Sequence, residues 1–217
     1  MSLRALIATA EGRYEDPWHP FADTTARLAA ALGEAGFHSE VAPVDEALGR
    51  IGDADLLAVN AGDPWRHDPP IIGAPTDAIA GLDAALDRGI GVLAMHTSLA
   101  SLRDYPSWPI ATGGIWLPGI SMHPPLSDAR FDWEPHPLAG PEPLMAVDER
   151  YAYMQPIGPR DIVATHEHEG VRHPVVWTRE HGSARIAVDL LGHDARSYDS
   201  PDHRALIGRL ARWAARA

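Results

Sequence analysis

The sequence predicts a single α/β domain in which a doubly wound, mostly parallel sheet lies between two layers of helices. Short apolar runs without helical periodicity, typical of buried parallel strands, alternate with amphipathic helical segments along the chain. Strands and helices that alternate at this spacing form βαβ units. A length of 217 residues with 45% hydrophobic residues suits one well-filled core. No linker divides the chain, so residues 1–217 are predicted to form one domain.

The predicted elements follow from local patterns taken in chain order. Strands are predicted at residues 3–10, 37–42, 54–60 and 90–95, then as shorter segments at 144–147, 161–166, 175–178 and 185–190. Helices are predicted to begin at Asp23 or Thr24, at Thr76 or Asp77, and after Ser200, each of which can cap a helix. Residues 99–143 contain many prolines and glycines, which predicts sparse regular structure there. Three tryptophans in the same stretch argue against disorder.

The composition excludes several classes of chemistry. The chain has no cysteine, so it has no thiolate nucleophile, thiolate zinc site or iron–sulfur cluster. All 18 basic residues are arginine, and the absence of lysine excludes Schiff-base chemistry, pyridoxal phosphate attachment and a P-loop. Histidine, carboxylate, hydroxyl and arginine side chains remain for catalysis.

Charge and hydropathy limit the partners. A net charge of −12 argues against nucleic acid, whose phosphates require a basic surface. No run of about 18 apolar residues is present, so we expect no membrane span. The N-terminus lacks the pattern of a signal peptide, which predicts a cytoplasmic location. A homo-oligomer is neither indicated nor excluded.

Polar side chains follow four of the predicted strands. In a doubly wound sheet, ligands bind beyond the carboxyl ends of the strands, so these side chains are predicted to share one crevice. They are, in chain order, Trp18 and His19 after the first strand, Asn60 after the third, His96 after the fourth, and His193 and Asp194 near the end of the chain.

His96 is the sharpest candidate among them. The segment from Gly91 to Ser98 has the strand-to-helix shape of a nucleophile elbow, in which a tight turn exposes one side chain at the top of the sheet. A purely structural histidine at this position is the alternative interpretation.

Six short motifs in a fixed order resemble the ThuA-like, or trehalose-utilisation, family of the class I glutamine amidotransferase-like superfamily. They are Met95-His96-Thr97-Ser98, His123-Pro124, His136-Pro137-Leu138, Asp148-Glu149-Arg150-Tyr151, Pro174-Val175-Val176-Trp177 and Leu191-Gly192-His193-Asp194. The resemblance implies a flavodoxin-like, three-layer α/β/α fold and a role with trehalose or keto-sugar derivatives. Glutaminases of this superfamily carry a cysteine at the elbow, and His96 stands in that position here.

The strand ends and the resemblance together give the candidate site. The catalytic candidates are His96, Glu149 and His193. The substrate-binding candidates are His19, Asn60, Trp18, Trp116, Tyr151 and Asp194. A divalent metal, zinc or manganese, is one alternative for the cluster, with His96, His123 and His193 as ligands. Acid–base chemistry without a metal is the other.

Two classes of function remain open at this point. The first is an enzyme, such as a sugar isomerase, lyase or hydrolase, that acts on a small sugar-like ligand through the histidine and glutamate side chains. The second is a non-catalytic sugar-binding or partner-binding domain that kept the amidotransferase-like fold.

Overall fold

The computed structural model describes residues 2–71 and 73–217. Within these ranges the strands are β1 (Leu3–Thr9), β2 (Phe37–Pro43), β3 (Leu56–Asn60), β4 (Gly91–Met95), β5 (Gly114–Ile115), β6 (Ser127–Trp133), β7 (Leu144–Asp148), β8 (Gln155–Pro156), β9 (Asp161–His168), β10 (Val171–His181) and β11 (Ala184–Asp189). The α-helices are α1 (Phe21–Glu34), α2 (Val44–Gly49), α3 (Thr76–Arg88), α4 (Ser98–Ser101), α5 (Ser107–Thr112), α6 (Ala195–Asp199) and α7 (Pro201–Ala215).

The main sheet has nine strands in the order β2-β1-β3-β4-β11-β10-β9-β6-β7. The five strands from β2 to β11 pair in parallel and form one half of the sheet. The chain leaves β1 for β2 on one side and returns to β3 on the other, which makes the sheet doubly wound. The predicted fold is therefore confirmed.

Helices cover the sheet in two groups. Helices α1, α6 and α7 pack together, with α7 over β4 and β11, while α2 and α3 pack against each other. Strands β3 and β4 are buried at every position, which explains their continuous apolar sequences. Helix α3 ends at Gly89, whose φ of 91° is the left-handed conformation that glycine adopts most easily.

Two local predictions are wrong. Helix α1 begins at Phe21 rather than at Asp23 or Thr24, because Pro20 takes the N-cap position and Thr24 turns its side chain into the core. Residues 99–143, predicted to hold little regular structure, contain the seven-residue strand β6 as well as α4, α5 and β5. The alternating burial of Ala129 and Phe131 shows that one face of β6 contributes to the core.

The antiparallel half of the sheet brings the residues after β7 close to the residues after β11. Strands β10, β9, β6 and β7 extend the sheet by successive antiparallel pairs, and β7 at the far edge packs against α6 and α7. The residues that follow β7 therefore lie next to those that follow β11. None of the helices in residues 2–71 and 73–217 combines the length and the hydropathy of a membrane span.

Candidate functional site

His96 occupies a tight turn at the carboxyl end of β4. Its φ of 40° is left-handed, a conformation that costs a non-glycine residue about 1–3 kcal/mol and that surrounding contacts must hold in place. The backbone N–H of His96 donates to the Asp189 carbonyl at 2.7 Å, and its Nδ1 lies 2.9 Å from the Leu190 carbonyl. In the neutral form of the ring Nδ1 is therefore the protonated nitrogen, and the lone pair of Nε2 faces the crevice.

His19 reaches the same crevice from the loop after β1. Its Nδ1 lies 2.8 Å from the carboxylate of Asp16, which also accepts the backbone N–H of His19 at 2.9 Å. The carboxylate fixes Nδ1 as a donor and leaves the lone pair of Nε2 facing the Nε2 atom of His96 at 3.2 Å. Burial, followed by the charges of His96 and His193, holds the pKa of His19 below its usual value despite the carboxylate.

Glu149 follows β7 and lies among three histidines. Its carboxylate oxygens lie 3.5 Å from His96 Nε2, 3.4 Å from His123 Nδ1 and 3.3 Å from His193 Nδ1. Burial alone would raise the pKa of Glu149, but contacts with His193 and His96 outweigh it and hold that pKa well below its ordinary value. Burial likewise opposes a charge on His96, and Glu149 and Asp148 together raise the pKa of His96 nevertheless.

The structure brings four potential ligand atoms together. One atom each from His19, His96, Glu149 and His193 lies within 4.8 Å of the others. Within the described residues, Glu149 Oε2 and His193 Nδ1 are buried without a well-directed hydrogen bond. The two atoms lie 3.3 Å from each other without hydrogen-bond alignment, so both remain available to a further partner.

Aromatic side chains form the mouth of the site. A cavity of about 500 Å³ is lined by Trp18, His19, His123, Glu149 and His193. Trp18 is 64% exposed at its edge. The ring of His123 stacks on Tyr151, and Trp116 packs against both.

Tyr151 contributes a protonated hydroxyl beneath this mouth. Its hydroxyl lies 3.3 Å from His96 Nε2. Burial, followed by the charge of Glu149, raises the pKa of Tyr151 well above its usual value. The phenol therefore remains a hydrogen-bond donor at neutral pH.

Two predicted substrate contacts lie elsewhere. Asn60 is buried at the end of β3, and its amide donates to the hydroxyls of Thr24 and Thr25, so it anchors helix α1. Asp194 caps α6 through the Arg196 N–H and also pairs with the Arg196 guanidinium. Neither side chain lines the cavity of the histidine cluster.

The sequence also suggested a different set of imidazoles for a metal. His19 belongs to the four-residue cluster, whereas His123 contacts Glu149 from the rim and is partly exposed. The sequence did not identify Asp16, which pairs with His19 Nδ1, or Asp148, which accepts the backbone N–H groups of Glu149 and His193. Asp16 lies three residues before His19, a spacing that suits a side chain closing a tight turn, and this signal could have identified it.

The elbow geometry gives a negative prediction. Purified protein is expected to release no ammonia from glutamine, because that reaction needs a thiolate at the elbow and His96 stands there. A coupled ammonia assay with glutamine measures this directly. Turnover above that of a heat-inactivated sample would contradict the exclusion of glutaminase chemistry from the absence of cysteine.

Comparisons with known proteins identify the family and the fold. A model of the ThuA family, described as trehalose utilisation, matches residues 5–214. No curated protein matches the chain by sequence. A structure described as a ThuA-like protein from Parabacteroides merdae is 18% identical with a TM-score of 0.81, and the match covers 99% of this chain and 90% of that one.

Two further structures show the same fold. A protein described as ThuA-like from Bacteroides uniformis is 12% identical with a TM-score of 0.74, over 98% of this chain and 91% of that one. PurLQS from Thermotoga maritima is 14% identical with a TM-score of 0.65, over 98% and 99% of the two chains. The fold is that of ThuA-like and class I glutamine amidotransferase-like proteins. Because the family match spans nearly the whole sequence, the chain belongs to the ThuA family.

Proposed function

We propose that the protein is a metal-dependent enzyme acting on a neutral, polyhydroxylated substrate such as a keto-sugar. Membership of the trehalose-utilisation family supports a carbohydrate-related role in the broad sense. In this proposal His19, His96, Glu149 and His193 hold a divalent ion, and His123 carries a proton at the mouth of the cavity.

The contact between His19 and His96 carries the proposal. Both rings use Nδ1 as a donor, so two lone pairs face each other across the 3.2 Å between the Nε2 atoms. With both rings neutral this arrangement is repulsive, and either a metal ion between the rings or an added proton on one Nε2 relieves it. Two nitrogens that each lie about 2.0–2.1 Å from a tetrahedral zinc are roughly 3.3 Å apart.

Two further separations fit the same geometry. The carboxylate of Glu149 lies 3.5 Å from His96 Nε2 and 3.3 Å from His193 Nδ1, close to the edges of one tetrahedron. Three imidazoles and one carboxylate suit zinc or a related divalent ion such as manganese. A proton shared between His19 and His96 is the alternative, and it would leave acid–base chemistry without a metal.

The lining of the cavity supports a neutral substrate. Among the residues that line it, none is an arginine, so a phosphate or carboxylate group would find no fixed cation other than the proposed metal. Trp18 offers an apolar face at the mouth, which suits the C–H face of a sugar ring. Trp116 does not line the cavity and packs against His123 and Tyr151. The alternative is that these tryptophans only fill space beneath the loops and do not contact a ligand.

The side chains divide the chemistry between them. A divalent ion in the cluster would polarise a carbonyl or lower the pKa of a bound hydroxyl. His123 Nδ1 lies 3.1 Å from the Pro124 carbonyl and 3.4 Å from Glu149, which leaves Nε2 free to exchange a proton with a ligand. Tyr151 supplies a hydroxyl that stays protonated. These groups suit an isomerase, a lyase or a hydrolase.

Metal content tests the proposal. We expect protein purified without a histidine tag to contain about one zinc or manganese per chain, and His96→Ala and His193→Ala to lose it, because each removes one of four ligands. Elemental analysis measures the content, and His38→Ala, at an exposed position on β2, is the matched control. The proposed metal site would be refuted if wild-type protein contained no metal and its ligand binding still depended on His96.

A further inference from the structure

Asp148 is a buried carboxylate directly before Glu149 and is fully excluded from solvent. One oxygen accepts the backbone N–H groups of Glu149 at 2.8 Å and His193 at 3.3 Å. The other accepts the N–H of Gly192 at 2.8 Å and the hydroxyl of Ser197. Four donors occupy the lone pairs of this carboxylate, so it joins the backbone after β7 to the loop after β11.

The contacts continue through a second carboxylate. Ser197 Oγ lies 2.9 Å from His203 Nδ1, and His203 Nε2 lies 3.0 Å from Asp189 Oδ2. All four side chains in this chain of contacts are fully buried. The residue types match those of a Ser-His-Asp triad, but Ser197 donates its hydroxyl to Asp148 and no substrate can reach it, which indicates a structural role.

Asp189 connects these contacts to His96, a third candidate ligand. Its carbonyl accepts the backbone N–H of His96, and the next carbonyl, of Leu190, accepts Nδ1 of the same ring. Its carboxylate accepts the N–H of Leu191 at 3.1 Å. These buried contacts therefore reach the backbone of three of the four candidate ligands, His96, Glu149 and His193. Asp148 itself accepts hydrogen bonds from the backbone of two of them, Glu149 and His193.

We infer that Asp148 is a positioning residue that sets the separation of Glu149 and His193 in the candidate metal site. The inference rests on the proposed function in that the two side chains are taken as ligands of one ion. Those ligands come from an edge strand and a central strand, 44 residues apart, so nothing local fixes their spacing. Ligand constellations require placement within about 0.5 Å, and loss of an outer contact typically lowers metal affinity about 10- to 100-fold.

The test is the isosteric change Asp148→Asn. The amide nitrogen cannot accept hydrogen bonds, so two of the four donors lose their acceptor while size is kept. We expect zinc affinity, measured by competition with a chromophoric chelator well below the unfolding temperature, to fall about 10- to 100-fold. The absorption spectrum of bound cobalt should also shift, since it reports ligand geometry. A purely structural role would change the unfolding temperature and leave both readouts unchanged.

Ser197→Ala is the matched variant. It removes one donor to Asp148 and keeps the three backbone contacts, so we expect a smaller loss of zinc affinity, about 2- to 10-fold. This graded loss keeps the inference testable if Asp148→Asn does not fold. Unchanged zinc affinity and an unchanged cobalt spectrum in every variant that folds would overturn it.

A crystal structure of the metal-free variant separates the two proposals. Wild-type protein that binds no zinc or manganese would refute the proposed function alone. The separation of the Glu149 carboxylate and the His193 ring would then decide about Asp148. An increased separation in Asp148→Asn or Ser197→Ala supports the positioning role, and the wild-type separation in both refutes it.

Discussion

Replacement of His123 by glutamine is expected to lower turnover of a neutral keto-sugar about 10²- to 10⁴-fold, which is the usual contribution of a positioned acid or base. The ring lies at the rim of the cavity, stacked on Tyr151, with one nitrogen engaged and the other free. Glutamine keeps a polar side chain of similar reach but cannot transfer a proton at neutral pH. The measurement is the initial rate with a panel of keto-sugars, followed by NMR.

Metal content must be measured in the same samples. We expect His123→Gln to retain zinc or manganese, because His123 lies outside the four-residue cluster. Its contact with the cluster is to Glu149 Oε1, whereas His96 and His193 lie nearest Oε2. Retained metal with lost turnover assigns the proton transfer to His123. An unchanged rate would exclude it from the chemistry, and loss of the metal would make it a ligand, as the sequence first suggested.

A second comparison tests the substrate class. Neutral keto-sugars are expected to be better substrates than their phosphorylated counterparts, because no arginine lines the cavity. Sugar binding by the wild-type protein without turnover of any member of the panel would favour the non-catalytic alternative, a sugar-binding domain on the same fold.

The sequence predicted the part of the site that parallel strands create. Carboxyl ends of neighbouring parallel strands meet at one edge of a sheet, so His19, His96 and His193 could be assigned to one crevice before any coordinates. The same rule failed for Asn60, because it gives the end of the strand and not the direction of the side chain. At the last position of β3 the amide turns toward helix α1.

The antiparallel half of the sheet was the harder part. Glu149 follows β7, which lies at the opposite edge of the nine-stranded sheet from β2, and it reaches the site only because β7 packs against α6 and α7. No local pattern encodes such a long-range arrangement, and only the order of motifs shared with the family pointed to this residue. The choice between His19 and His123 as a ligand depended on the turn closed by Asp16, a loop conformation that periodicity does not predict.

Removal of His203 is expected to destabilise the fold strongly. Its ring is fully buried, with Nε2 3.0 Å from Asp189 and Nδ1 2.9 Å from Ser197, which is bonded in turn to Asp148. In its charged form the imidazolium compensates two buried carboxylates. Breaking such a pair typically costs about 3–5 kcal/mol, because the remaining charge loses its partner. We therefore expect the free energy of unfolding of His203→Ala to fall by about that amount in urea titrations of metal-free protein.

The pH dependence of this loss identifies its electrostatic part. Burial opposes the charge on His203, but Asp189, through its charge and its hydrogen bond, outweighs burial and raises the pKa of His203. A raised folded-state pKa contributes stability that is fully present below the unfolded value of about 6.5 and is lost as the pH rises through the folded value. The difference in unfolding free energy between wild type and His203→Ala should therefore be largest near pH 6 and smaller in alkaline solution.

The exposed His38 provides the matched control, since His38→Ala removes an imidazole that carries no buried charge. It should change the unfolding free energy by less than about 0.5 kcal/mol. A difference for His203→Ala that stays constant from about pH 6 to about pH 9 would mean that the ring is neutral in the folded protein. Its effect would then come from packing and neutral hydrogen bonds, and the two buried carboxylates would need another source of compensation.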